Sequence, residues 1–375
     1  MSGAGSRRVE RVAVLGLGNV GCLIADMLAE RGYSVVGADA DGAKAGAEHA
    51  VQLDVSDPAA LARLFSEVDA VVSCLPYYLC SEVAAAAHAA GIDYLDLTED
   101  VPTSQIIREL AKSGSSAFIP HCGLAPGFIC VIGAGLAGSM DRPERVQLRV
   151  GALPRTPNNA LGYAFNWSPA GVVNEYLNPC EQLHGGVRTS VPPLSELEPI
   201  VIDGTRYEAF TTSGGLGTLC ETFAGRIDQL DYKTMRYPGH CDLMRFLLQE
   251  LRLGHKRKLV QELLADAYPP VRDDLVIVYA AAHGLRGERV TREEFVRVYR
   301  PREIAGSVRT SIAWTTAAGA VAMLELLAQG TLPDSGFIRQ EDVGLEDFLR
   351  TSAGRLLADE LPDSLLDEAP VAGVS

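Results

Sequence analysis

Apolar and polar positions along the first 120 residues repeat with two spacings in turn, one typical of strands and one typical of helices. Short apolar runs predict six strands, at residues 12–15, 34–38, 50–54, 69–76, 93–97 and 117–120. Apolar positions at helical spacing predict a helix ahead of Gly32 and three more at residues 58–68, 79–90 and 102–112. Strands that alternate with helices predict an α/β fold with a doubly wound parallel sheet, as in a Rossmann domain.

The pattern changes after Gly127. Residues 128–140 form an apolar run that is too short to cross a bilayer, so we expect a buried helix. Further strands are predicted at residues 146–151, 271–281 and 290–299. The turn between the last two contains Gly284 and Gly287. Because residues 153–225 are rich in glycine, proline, asparagine and aromatics, we expect a second α/β domain whose large mixed or antiparallel sheet carries loops.

The first strand is followed at once by Gly16-Leu17-Gly18-Asn19-Val20-Gly21, which has the glycine spacing of a dinucleotide site. In such a site the first glycine permits the tight turn out of the strand, the second lets a pyrophosphate approach the backbone, and the third lets the helix pack against the strand. Asp39 ends the second strand, eighteen residues past Gly21. A carboxylate there binds the adenosine ribose hydroxyls and repels a 2′-phosphate, so the sequence predicts NAD in preference to NADP.

Ligands of a doubly wound sheet bind at the carboxyl ends of its strands, and the turn after the fourth strand passes beside the nicotinamide end of a bound cofactor. Tyr77 follows this turn and is a catalytic candidate, although it could equally be a half-buried ring in a structural turn. The predicted cofactor contacts are Gly16, Gly18, Asn19, Val20, Gly21, Asp39, Asp54, Cys74, Leu75 and Pro76.

Three acids, Asp96, Glu99 and Asp100, crowd the end of the fifth strand. At this rim an acid could hold an ammonium group or act as a general base. Asp96 alone alternates with apolar neighbours inside the strand, which favours a function for it. The alternative is that these acids cap the following helix or are solvated ahead of Pro102.

A basic cluster and a hydroxyl-rich loop complete the candidates. Arg236 could clamp a carboxylate in a bidentate pair, and Lys233 could bind it as a point charge. His240 has a side chain whose pKa lies near operating pH, so it could be an acid–base group. Thr212 and Ser213 offer hydroxyls to a substrate. The alternative is a structural strand and turns with exposed basic residues.

Composition narrows the classes of function. The 375 residues suit two domains, and the formal net charge of −15 argues against nucleic acid and against anionic membrane surfaces as partners. The eight cysteines form no CxxC pair, so we predict reduced thiols and no metal site. The N-terminal residues MSGAGSRRVER carry no apolar stretch typical of a signal peptide, so we expect a cytoplasmic protein.

Five stretches resemble the saccharopine dehydrogenase-like family, and within it most closely the lysine 6-dehydrogenases. They are VLGLGNVG at 14–21, HCGLAPGF at 121–128, PPLSELEPI at 192–200, EAFTTSGGLGTL at 208–219 and LDYKTMRYPGH at 230–240. The resemblance implies a Rossmann domain of residues 1–127 and 305–350, to which the chain returns through an apolar helix at 311–329. Residues 128–304 would form the substrate-binding and oligomerisation domain. By their composition, and not by the resemblance, residues 351–375 are expected to form an acidic tail, partly disordered from 359 on.

The resemblance also implies NAD-dependent oxidation of the ε-amine of L-lysine, or of a close amino acid or diamine. The semialdehyde product would cyclise to 1-piperideine-6-carboxylate, with release of ammonia. On this hypothesis Asp96 or His240 is the general base, while Arg236 and Lys233 hold the α-carboxylate. Residues 96–100 are more acidic than is usual in lysine 6-dehydrogenases, which leaves the substrate open. The alternatives are saccharopine-type coupling or cleavage of a secondary amine, and a non-catalytic NAD-binding regulator. We expect a small-molecule substrate and a homo-oligomer, dimer or tetramer.

Overall fold

The computed structural model describes residues 9–44 and 50–358. The strands in chain order are β1 (Arg11–Leu15), β2 (Ser34–Asp39), β3 (Ala50–Gln52), β4 (Ala70–Ser73), β5 (Asp93–Asp96), β6 (Ala117–Ile119), β7 (Arg142–Pro154), β8 (Cys180–His184), β9 (Val187–Val191), β10 (Glu198–Ile202), β11 (Thr205–Thr211), β12 (Gln229–Arg236), β13 (Asp274–Arg286), β14 (Arg289–Tyr299), β15 (Arg302–Ile304), β16 (Ser307–Arg309) and β17 (Gly336–Phe337). The helices are α1 (Asn19–Glu30), α2 (Pro58–Phe65), α3 (Tyr77–Ala90), α4 (Val101–Ala111), α5 (Phe128–Gly138), α6 (Pro169–Glu175), α7 (Leu219–Phe223), α8 (His240–Arg245), α9 (Arg257–Ala267), α10 (Ser311–Ala328), α11 (Leu345–Arg350) and α12 (Gly354–Ala358). Most of the strands belong to two large sheets.

The first sheet is parallel and has the strand order β17-β6-β5-β4-β1-β2-β3. Its strands are apolar on both faces because helices cover both. In β1, Val12 and Val14 face one core, whereas Ala13 and Leu15 face the other. Because β1 pairs with both β2 and β4, the strand order reverses beside β1, where open α/β sheets bind their ligands. The predicted doubly wound sheet is confirmed.

The second sheet is mixed and has the strand order β10-β11-β12-β7-β13-β14, with β8 and β9 attached beside β12. Strands β7 and β12 run parallel, whereas β7 and β13 run antiparallel. The alternating residues Val146, Leu148 and Val150 of β7 face the core that the two sheets share. The opposite face packs on a separate cluster that includes Leu153 and Ile277. The predicted mixed sheet is therefore confirmed.

Helix α10 joins the two domains. It packs on α1 of the first domain and on β13 of the second, and Trp314 near its start is buried. This helix is long and apolar enough to cross a membrane, but 83% of it is buried inside the fold, as in a core helix. After α10 the chain adds β17 to the edge of the first sheet, beside β6. The return to the first domain that the resemblance implied is thus present.

The boundaries of several elements differ from the sequence prediction. Strand β7 is longer than predicted, and β13 runs through Gly284, so that only Gly287 lies in the turn. The region 153–225 contains β8 to β11 and two short helices, which its composition did not indicate. In the predicted tail, α12 is ordered and its Leu357 is buried, while residues 359–375 lie outside the described residues. The division into domains by residue number stays a prediction.

Candidate active site

A cleft of about 490 Å³ lies between the two sheets. The first domain contributes the glycine-rich loop, the turn at 74–77 and residues 97–99 to its walls. The second domain contributes side chains of β7 and β12 and the segment 165–169. Residues 123–126, Pro270, and Ile312 and Thr316 of α10 complete the lining. The cleft therefore joins the predicted cofactor site to the inner face of the second sheet.

The glycine-rich loop fits a dinucleotide. A Cβ at Gly21 would overlap the carbonyl oxygen of Gly16, so α1 can approach β1 only if this residue is glycine. Gly16 has a φ of +89°, and a Cβ there would lie 2.9 Å from the carbonyl oxygen of Cys74. At Gly18 a Cβ would meet nothing within 4 Å, so this side of the loop is open to a ligand. The N-terminus of α1 has no side-chain cap, which leaves its amides for an anion.

Asp39 ends β2 beside this loop. Its Oδ2 accepts a hydrogen bond from the backbone N–H of Leu17 at 2.7 Å, and its Oδ1 accepts one from Asp41 at 2.9 Å. Burial alone would raise the pKa of Asp39, but these backbone hydrogen bonds outweigh it and lower the pKa. Lys44 Nζ lies 3.6 Å from Oδ2. By contrast, Asp54 is exposed, accepts hydrogen bonds from Ser56 and does not line the cleft.

Two of the three acids at the end of β5 hold the backbone and do not line the cleft. Asp96 is fully buried and accepts hydrogen bonds from the hydroxyl of Tyr94 at 2.8 Å and from the N–H groups of Thr98 and His121. Burial nevertheless raises its pKa to about 6. Asp100 caps α4 by accepting hydrogen bonds from its third residue. Asp100 is therefore a helix cap, which was the alternative to a functional role. Asp96 and Asp100 together fix the backbone segment between them.

Glu99, which lies between these two acids, faces the cleft. Burial raises its pKa to about 7. Glu175, the last residue of α6, lines the same cleft, although no motif in the sequence marks it. Its carboxylate makes no hydrogen bond to any residue in the ranges 9–44 and 50–358. Burial, and then the nearby Glu99 charge, raise the pKa of Glu175 well above its ordinary value, while Arg236 lowers it.

Arg236 is the cation of the cleft wall. It is 2% exposed, and its guanidinium lies 4.7 Å from the ring centroid of Tyr163. Its Nε donates a hydrogen bond to the Tyr176 hydroxyl at 3.0 Å, and its Nη1 donates one to Thr234 Oγ1 at 2.7 Å. In the part of the chain that the structure describes, Nη2 has no hydrogen-bond acceptor. The Nη2 group of Arg236 is therefore available to bind a ligand.

His240 supports Arg236 from behind the cleft wall. Its Nε2 lies 3.0 Å from the Tyr176 hydroxyl, and its Nδ1 lies 3.0 Å from the carbonyl oxygen of Leu161. Since a carbonyl only accepts, Nδ1 carries the proton and Nε2 accepts from Tyr176. Burial, and then the Arg236 charge, lower the pKa of His240 to about 3. The structure thus places the predicted base outside the cleft, as a neutral group that orients Arg236.

Strand alternation separates Lys233 from Arg236. Side chains of β12 at even positions, including Tyr232 and Arg236, line the cleft, whereas Lys233 points to the opposite face. There its Nζ donates hydrogen bonds to Glu198 Oε2 at 2.8 Å and to the carbonyl oxygen of Glu196 at 2.7 Å. The two residues therefore cannot hold one carboxylate together. The two-residue period of a strand was the available signal for this.

Thr212 and Ser213 are buried behind the cleft wall and do not line it. The N–H of Ser213 donates a hydrogen bond to the carbonyl oxygen of Glu175 at 3.1 Å, so this loop holds the end of α6.

Tyr77, in contrast, does line the cleft, and burial raises its pKa. The remaining predicted cofactor contacts in the lining are Gly18, Asn19, Val20, Gly21, Cys74, Leu75 and Pro76. Aromatic side chains that the sequence analysis missed also line it, namely Phe165, Trp167 and Tyr232.

Comparison with known protein families gives two matches that together span most of the chain. Residues 12–116 match the saccharopine dehydrogenase NADP binding domain. Residues 123–358 match the saccharopine dehydrogenase C-terminal domain. The chain belongs to the saccharopine dehydrogenase family. The family resemblance seen in the sequence is thus confirmed, and with it an oxidoreductase family whose first domain binds a pyridine nucleotide.

Individual relatives in this family are distant. The chain is 26% identical over 286 residues to the saccharopine dehydrogenase [NADP(+), L-glutamate-forming] of Pyricularia oryzae, which covers 69% of this chain and 60% of the relative. It is 29% identical over 148 residues to the α-aminoadipic semialdehyde synthase of Arabidopsis thaliana, covering 36% of this chain and 13% of that protein. The matched region thus spans between 13% and 60% of the length of these two relatives.

The fold also has a counterpart among solved structures. Apo saccharopine dehydrogenase (L-Glu forming) from Saccharomyces cerevisiae superposes with a TM-score of 0.73 at 16% identity, covering 91% of this chain and 97% of the other. At this identity the likeness concerns the fold. It agrees with a parallel first sheet followed by a mixed second sheet, as found above.

Proposed function

We propose that this protein is an NAD-dependent dehydrogenase that oxidises the side-chain amine of a diamino acid, with the ε-amine of L-lysine as the first candidate. The semialdehyde would cyclise to 1-piperideine-6-carboxylate and ammonia would be released. The observation that carries this proposal is the set of ionisable side chains in the cleft wall. Among the described residues that line it, two are acids, Glu99 and Glu175, and one is a cation, Arg236.

This set of ionisable groups matches a diamino acid. Lysine carries one carboxylate and two amines, so it is complemented by one guanidinium and by two carboxyl groups whose oxygens accept hydrogen bonds from N–H groups. Saccharopine carries three carboxylates, and two of them would lack a cationic partner in this cleft. Arg236 suits the α-carboxylate because its Nη2 has no acceptor in the described part of the chain. Glu99 suits the reacting amine because it lies on the first-domain rim, with the Cys74–Tyr77 turn that is expected to face the nicotinamide.

The proposal for the cofactor rests on the glycine-rich loop and on Asp39. The loop would hold the pyrophosphate at Gly18, with Gly16 and Gly21 setting its shape, and Asp39 would hold the adenosine ribose. The nicotinamide, when bound, would accept a hydride from the carbon that carries the amine. The named relatives above include an NADP(+) enzyme. We nevertheless propose NAD, because the lowered pKa keeps Asp39 ionised and its charge repels a 2′-phosphate.

The second candidate is saccharopine-type coupling or cleavage of a secondary amine, which the family membership favours. One assay separates the two. Formation of NADH and of NADPH is measured at alkaline pH with L-lysine, D-lysine, L-ornithine, simple diamines and saccharopine. We expect NADH with L-lysine and a product with the mass of the cyclic imine. Turnover of saccharopine alone would establish the second candidate, and NADH binding without turnover of any amine would indicate a regulator.

A further inference from the structure

Two carboxyl groups of the cleft lie beside one face of the short helix α6: Glu175 on the helix itself, and Glu99 on the segment between β5 and α4. Glu175 and Gly171 are four residues apart on this helix, so their Cβ positions stack on the same side. A Cβ at Gly171 would lie 3.2 Å from Oε1 of Glu99. The Trp167 ring, at 2.6 Å from such a Cβ, and the Glu99 carboxylate therefore share the space beside Gly171, one helical turn from Glu175.

The backbone segments that carry the two carboxyl groups are held by hydrogen bonds. On the first-domain side, Asp96 and Asp100 fix the segment that carries Glu99. On the second-domain side, the N–H of Ser213 binds the carbonyl oxygen of Glu175. A Cβ at Gly214 would lie 2.5 Å from the carbonyl oxygen of Glu99, so the same loop also presses against the first-domain segment. These contacts fix the two backbone segments that carry Glu99 and Glu175 relative to each other.

We infer that Glu99 and Glu175 form an electrostatically coupled catalytic pair, in which Glu99 is the general base and Glu175 stays protonated, with its carbonyl oxygen accepting a hydrogen bond from the second amine of the substrate. This assignment rests on the proposed amine oxidation. In the step, an N–H bond of the substrate ammonium breaks and an O–H bond forms on Glu99, while the electron pair stays on nitrogen. That pair forms the C=N bond as the neighbouring C–H bond breaks, with its electrons leaving as hydride to the oxidised nicotinamide.

The surrounding charges support this order of ionisation. Asp96 and Asp100 approach Glu99 from its own segment, and Arg236 approaches Glu175 from β12. Burial raises the pKa of Glu99 to about 7, which suits a base that must take a proton near neutral pH. Once Glu99 is ionised, its charge raises the pKa of Glu175 further, so the second proton is retained. Two carboxyl groups with pKa values pushed apart are the signature of an acid–base pair.

The pairing is tested on the protein without substrate, by following the pH titration of glutamate side-chain carbonyl carbons with ¹³C NMR. We expect one glutamate with a midpoint near pH 7 that is absent in Glu99→Gln, and a second with a higher midpoint that is absent in Glu175→Gln. Glu99→Gln should also lower the Glu175 midpoint, because the neighbouring charge that raises it is gone. Glu175→Gln should leave the Glu99 midpoint near 7, since Glu175 is neutral when Glu99 titrates. The matched control, Glu109→Gln on the exposed face of α4, should leave both midpoints unchanged.

Two results would overturn the pairing: ordinary midpoints for both acids in the wild type, or a Glu175 midpoint that Glu99→Gln does not move. The catalytic role has its own readout, because loss of a general base lowers turnover by about 10²–10⁴-fold. If L-lysine forms NADH and Glu99→Gln retains most of the turnover, Glu99 is not the base, although the proposed function holds. If no amine is oxidised but the coupled titration is observed, the pair exists and the proposed function fails.

Discussion

Replacing Tyr176 by Phe tests how Arg236 is held. The Tyr176 hydroxyl accepts a hydrogen bond from Arg236 Nε and donates one to His240 Nε2, both at 3.0 Å. All three side chains are at most 2% exposed, so water cannot replace the lost hydroxyl easily. The substitution keeps the ring and its packing against Phe210, while it removes the link between the cation of the cleft and the buried histidine.

The size of the effect follows from two buried groups that lose their partner. Each unsatisfied buried group costs about 1–3 kcal/mol, so the free energy of unfolding should fall by roughly 2–6 kcal/mol. The guanidinium also loses the contact that sets its orientation. If this weakens one hydrogen bond to the substrate carboxylate, which is worth about 1.5–3 kcal/mol, KM for L-lysine should rise roughly 10- to 100-fold. The value of kcat should change little, because binding is lost equally in the ground and transition states.

Urea denaturation and steady-state kinetics measure the two effects separately. The matched control is Tyr299→Phe, which removes a buried hydroxyl that donates to the carbonyl oxygen of Leu357 at 2.8 Å, away from the cleft. This control should lose stability and keep the wild-type KM. If Tyr176→Phe loses stability but binds L-lysine with an unchanged KM, Arg236 does not hold the substrate carboxylate and the assignment is refuted.

Three further predictions concern other parts of the site. Gly21→Ala should abolish the fluorescence change on NADH binding, because its Cβ overlaps the Gly16 carbonyl oxygen, whereas Gly138→Ala at the open end of α5 should bind normally. Lys233→Met should lower the urea midpoint and leave KM within about twofold, since Lys233 binds Glu198 on the other face of the sheet; a large rise in KM would contradict this. Burial raises the pKa of Asp96 from 3.8 to about 6, so its contribution to stability falls by ~3 kcal/mol as pH rises from about 4 to 6. Denaturation curves of Asp96→Asn should lack this fall, and an identical pH dependence in the variant would show that Asp96 does not titrate in this range.

Local patterns were sufficient to predict the first domain. The strand, glycine loop and helix around Gly16–Gly21 lie next to one another in the chain, and apolar periodicity marks each of them. Asp39, the acid at the end of β2, could be predicted in the same way, because it lies close to this loop in the sequence. The second sheet was predicted only in outline, because β7 pairs with β12 and β13, which lie far away in the sequence.

The substrate side of the cleft depends on such distant contacts. Glu175 is an acid in a seven-residue helix with no motif around it. A functional role for it is indicated only by the approach of α6 to Glu99 in the folded chain. Lys233 and His240 looked functional because they neighbour Arg236 in the sequence, yet strand alternation and burial remove them from the cleft. Asp96 was favoured because it alternates with apolar residues, and this same alternation buries it among hydrogen-bond donors.

The most direct test of the central claim follows the hydrogen that leaves the substrate. L-lysine labelled with deuterium at its ε-carbon is incubated with the protein and NAD, and the mass of the NADH formed is measured. If the carbon next to the side-chain amine is oxidised, as we propose, the NADH is one mass unit heavier than with unlabelled lysine. Unlabelled NADH would mean that hydride leaves another carbon, and the absence of NADH would mean that lysine is not the substrate.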